Sequence, residues 1–131
     1  MPTANRVLLV LGGTLAAILS LAILFSPAAF YASYDIEVDG VTNLLNELKA
    51  PALVILALGA IQALGAFQLR HHRLGISAGV LLYLGFGLSR LAAMATDGPP
   101  AAALIAVTAG ELVIGFLFVL ALWRLRTSTA G

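Results

Sequence analysis

Six side chains carry the chemistry this sequence offers. Arg90 and Glu111 are ionisable residues in apolar surroundings, Glu47 stands at the entrance to another apolar run, and Tyr83, Gln62 and Thr14 are hydrogen-bonding groups inside apolar stretches. A carboxyl such as Glu111 can hold a proton or a cation, and a phenol or an amide can orient a small ligand. Arg90 can pair with a carboxylate or reach a lipid phosphate. In hydrocarbon such groups are costly and need a partner or an aqueous cavity.

The composition puts them in hydrocarbon. Of 131 residues, 61% are hydrophobic and 10% charged, where a soluble domain carries about 25% charged residues. A chain this short cannot hide that much apolar surface in one aqueous core, so the membrane must act as its solvent. With no cysteine there is no disulfide, thiolate nucleophile or cysteine-ligated metal. His71 and His72 are adjacent and diverge on a helix, which favours a basic loop over a metal site. Asp35, Glu37 and Asp39 alternate like cation ligands but lack the full calcium-loop pattern. No glycine cluster forms a nucleotide fingerprint, and the few basic residues flank apolar runs, so neither a cofactor nor nucleic acid is expected.

The expected architecture is all-α, a single integral-membrane domain over residues 1–131 built as a four-transmembrane-helix bundle. Its helices fall at about 7–27, 48–69, 74–95 and 100–123. The first could also be read as a signal peptide, but its apolar core is long and further spans follow it. Between spans one and two lies a polar connection with Tyr31 and Tyr34, suited to headgroup level, and an Asp39-Gly40 turn, with Thr42 as a candidate helix cap. Pro51 suits the first turn of span two. Arg6, Arg70, Arg73, Arg124 and Arg126 fall on one side, and Asp35, Glu37, Asp39 and Asp97 on the other, which places both termini in the cytoplasm. A small polar tail after Arg126 is expected to be disordered. Glycines on spans three and four, with Gly75 and Gly79 in small-x-x-x-small spacing, permit a homo-oligomer as readily as contacts within one chain.

Depth then locates a site. Counted inward from the acidic side, Glu111, Tyr83, Gln62 and Thr14 each fall roughly 18 to 21 Å from an outer landmark. They are expected to share one layer near the midplane. Arg90 lies roughly 10 Å further out, where Glu47 is its expected partner, or Glu111 if the helices are staggered. The functional reading is an outward-facing cleft with Arg90 and Glu47 at the mouth and the other four beneath. The plainer reading is a buried polar network that specifies how greasy helices pack, with Arg90 reaching the headgroups.

Asn46-Glu47-Leu48-Lys49-Ala50-Pro51, Leu82-Tyr83-Leu84-Gly85-Phe86-Gly87-Leu88-Ser89-Arg90, Asp97-Gly98-Pro99-Pro100 and Glu111-Leu112-Val113-Ile114-Gly115 together resemble the small bacterial four-helix membrane proteins grouped as the DUF4345 family. The resemblance covers most of the chain. It implies a bacterial inner-membrane protein, with a fold distantly similar to DoxX-like four-helix proteins, and supplies no substrate or catalytic residue. The leading functional expectation is a binding or accessory protein for a lipid-like or small amphipathic ligand, with membrane lipids as its other partners. A proton-coupled transporter using Glu111 and a structural subunit of a membrane complex are the alternatives. Enzymatic activity ranks last: there is no activated nucleophile, metal cluster or cofactor motif, and only Glu111 with Tyr83 offers proton transfer.

Overall fold

Long apolar runs without interior charge favour helix in a membrane, because a helix satisfies its own backbone there. The structure, a computed structural model, describes residues 1–129. Helix α1 (Thr3–Phe25) ends at Ser26, whose backbone leaves the helical region, and Pro27 opens a short α2 (Pro27–Ala32). The chain then turns through Asp35, at φ 59°, and Gly40, at φ 72°. Aspartate and glycine are residues that adopt a left-handed conformation at low cost. Thr42 is the first residue of α3 (Thr42–Lys49) and not its cap, and no side-chain cap bond forms.

The second span begins earlier than 48. Helix α3 continues into α4 (Ala52–Phe67) through Ala50 and Pro51, both in helical conformation, giving one span over Thr42–Phe67. Pro51 is therefore an interior residue, and its missing N–H breaks the ladder at the joint. The third span, Leu69–Asp97, is composite. It starts with a tight turn (Leu69–His71), runs through α5 (His72–Gly79), widens into a π turn over Val80–Leu84, and continues as α6 (Gly85–Asp97). Gly98, at φ 93°, ends it. Helix α7 (Ala102–Thr129) forms the fourth span and takes in most of the expected polar tail. Ala130 and Gly131 lie outside the described residues. All four spans are long and apolar enough to cross a membrane.

Close backbone approach holds the first three spans together. A Cβ on Gly13 of α1 would lie 2.9 Å from the Gly59 carbonyl oxygen of α4, and one on Gly65 of α4 would lie 2.9 Å from the Cα of Gly75 on α5. Small residues permit such contacts, which supply dispersion where no hydrophobic drive exists between helices in lipid. Gly75 and Gly79 thus pack within the chain, Gly79 against Phe118 of α7. Phe118, Leu9 and Ile76 are fully buried at the centre of this packing. Tyr83 stacks on Phe118 with ring centroids 5.9 Å apart and planes within 3°.

Candidate functional site

Toward the acidic end the four spans part around a cavity of about 440 Å³. Its walls are mostly apolar side chains of all four spans, Leu19, Ile55, Leu82, Phe86 and Leu104 among them. The connection after α1 supplies Tyr31 and Tyr34 to the lining, and α3 supplies Glu47. Burial raises the pKa of the Tyr31 phenol, with the Arg90 charge offsetting part of the rise. Tyr31 thus stays a neutral hydrogen-bonding group at physiological pH.

Arg90 and Glu111 form an ion pair in the cavity wall, with Arg90 Nε donating to Glu111 Oε2 at 2.9 Å. Their side chains are 34% and 15% exposed. Of the two expected partners of Arg90, the structure gives Glu111 and not Glu47, and it corrects the two-layer separation of Arg90 from Glu111. The reason is where α7 starts. Counted from Ala102, Glu111 lies roughly 14 Å in, and Arg90 lies roughly 11 Å in from Asp97, so the two levels nearly coincide. Gly87 also brings α6 against α7, since a Cβ there would lie 2.7 Å from Leu112 Cδ2. On the neighbouring turn, the widened backbone at Leu84 rests on Gly115. The π turn ends where α6 begins and so sets the rotation at which Arg90 faces Glu111.

The remaining expected site residues divide. Glu47 lines the cavity from its exposed rim and makes no hydrogen bond or ion pair among the described residues. Tyr83 contributes its ring, while its hydroxyl donates to the Gly12 carbonyl of α1. That bond commits the phenolic proton to the Gly12 carbonyl and not to Glu111. Gln62 is fully buried outside the cavity lining, with Nε2 donating to the Leu58 carbonyl at 3.3 Å and Oε1 without a partner among the described residues. Its Oε1 sits where a Cβ on Gly12 would be, so Gln62 and Tyr83 converge on Gly12 and not on a ligand. Thr14 lies on the exposed face of α1 and joins neither group. Gln62 and Tyr83 thus lie in the helix packing around Gly12, and Glu47, Arg90 and Glu111 lie in the cavity lining.

Sequence reasoning missed two features. The aromatic residues at headgroup level, with Phe30, turn into the cavity lining; their density within a few residues was the available signal. At the opposite end His72 is buried, its Nδ1 3.2 Å from the Gly65 carbonyl and its Nε2 3.5 Å from Asn5 Nδ2. A carbonyl only accepts, so Nδ1 carries the proton and Nε2 faces the Asn5 amide as acceptor. Next to an exposed Arg70–His71 pair, nothing in the local sequence marks His72 as the buried one.

Residues 4–122 match the profile of a domain of unknown function, DUF4345. The chain belongs to the DUF4345 family. The DUF4345 match covers Glu47, Arg90 and Glu111, reaches into all four spans, and ends within α7 before Arg124 and Arg126. No curated protein and no solved structure matches the chain.

Proposed function

We propose that this chain holds a lipid-like or small amphipathic molecule in the cavity between its four spans, acting as a binding or accessory protein of a bacterial inner membrane. The observation that carries the reading is the about 440 Å³ cavity with apolar walls and a few charged groups at one end. Its size falls among ligand pockets, and this division of apolar wall and sparse polar anchors suits an amphipath. Basic residues gathered at the opposite end support an orientation with both termini cytoplasmic and the cavity facing outward. The expected likeness to DoxX-like proteins rests on the four-span plan alone and carries none of this argument.

Packing below the cavity favours binding over proton-coupled transport. Leu9, Ile76 and Phe118 leave no exposed surface there, and Glu111 is already paired with Arg90. A homo-oligomer would draw on Gly85 and Gly110, whose Cβ positions face open space.

The test compares wild type and Glu111→Gln extracted with their native lipid and examined by mass spectrometry. Losing the carboxylate leaves the Arg90 charge uncompensated in the wall, so the variant should retain about tenfold less of the bound amphipath, the effect of ~1.4 kcal/mol. The same molecule at the same occupancy in both would sink a central role for this pair.

A further inference from the structure

The cavity walls accept any alkyl tail, so selection falls to the headgroup, and charge decides it. All six carboxylates of the chain belong to the acidic half, while only Lys49 and Arg90 of its seven lysines and arginines accompany them. Arg90 and Glu111 neutralise each other at 2.9 Å. Lys49 is two residues from Glu47, directed to another side of α3, and is absent from the lining. The net charge left on the lining is the carboxylate of Glu47, which has no ion-pair partner among the described residues.

Aromatic rings share that lining. Phe30 packs edge to face with Tyr31 and Tyr34, at centroid distances of 5.0 and 5.4 Å. Ring faces carry negative potential that attracts cations, ammonium groups included. A cleft edged by one sign of charge concentrates the opposite sign at its mouth. An anion could still reach the terminal NH2 groups of Arg90, but it would cross the acidic rim and then meet Glu111 beside them.

Granted the binding pocket proposed above, we infer that its ligand carries a cationic, ammonium-type headgroup, taken up by Glu47 and the Phe30, Tyr31 and Tyr34 rings over a neutral Arg90–Glu111 floor. The apolar body of the ligand lies along Leu19, Ile55 and Leu82.

The experiment titrates the full chain in maltoside micelles with three probes that share a dodecyl tail, dodecyltrimethylammonium, dodecanoate and dodecanol, and reads affinity by native mass spectrometry. The ammonium probe should bind wild type about tenfold more tightly than dodecanol, a gain of ~1.4 kcal/mol. Glu47→Gln should remove most of that gain and Tyr34→Leu part of it, while Asp97→Asn and the dodecanol affinities stay unchanged. Glu47 is exposed, so its variant should fold as the wild type does. Equal or tighter binding of dodecanoate, or an ammonium affinity indifferent to Glu47→Gln, overturns the headgroup assignment and leaves the pocket intact. If no probe binds, or if all three bind Val107→Trp as well as wild type, the pocket itself is overturned, since Val107 lines it.

Discussion

Arg90 meets Glu111 through Nε, so the pair joins α6 to α7 in the cavity wall. With the side chains 34% and 15% exposed, the pair is neither a surface bridge nor a fully desolvated one, and a double-mutant cycle with Arg90→Leu and Glu111→Leu should give a coupling of about 1–2 kcal/mol. Thermal unfolding in lipid nanodiscs reads it, and additive effects would show that the pair contributes nothing to stability. The double variant should unfold no earlier than the worse single one, because it strands no charge. At this scale the sequence was legible in part. Arg90 and Glu111 stand out because apolar neighbours make a charge conspicuous, but depth counting fixes a level and not a direction around the helix. Gln62 and Thr14 illustrate the limit: assigned to one level, they lie one in the core and the other on the outer face.

The π turn at Val80–Leu84 is the element on which the site's alignment depends. Deleting Leu81, which points outward at 66% exposure, should convert the widened turn to ordinary α-helix and leave everything after it near its present rotation, because the π turn takes up one residue more than an α turn does. Circular dichroism should then show unchanged helix content, and the coupling between positions 90 and 111 should persist; a lost coupling would show that the π turn does not absorb the residue that sets this register. Close helix contact makes a second prediction. Gly79→Ala would put a Cβ 2.5 Å from Phe118 Cδ1 and should destabilise the protein by about 1–3 kcal/mol, whereas Gly110→Ala, facing open space, should fall within about 0.5 kcal/mol of wild type. Equal effects in nanodisc unfolding would count against the packing described. Hydropathy made the four helices legible, since length and composition alone mark them. It left the π turn invisible, because Val80–Leu84 is apolar apart from Tyr83 and contains neither proline nor glycine to signal a change of pitch.

Across the whole molecule, charge and cavity share one polarity. The acidic connections and the cavity lie toward one end, and Arg6, Arg70, Arg73, Arg124 and Arg126 toward the other. The cysteine-free chain lets single cysteines report orientation in intact cells. Asp39→Cys should react with a membrane-impermeant maleimide and Ser128→Cys should not; the reverse pattern would invert the proposed topology. The central claim concerns occupancy, and cavity filling tests it most directly. Val107 lines the cavity from α7, so Val107→Trp should fill it without disturbing the glycine contacts of the first three spans. Native mass spectrometry of protein released from its own lipid should find one amphipath per chain in wild type and none in Val107→Trp, with helix content equal in both. The same molecule held at the same occupancy by the filled variant would contradict the account.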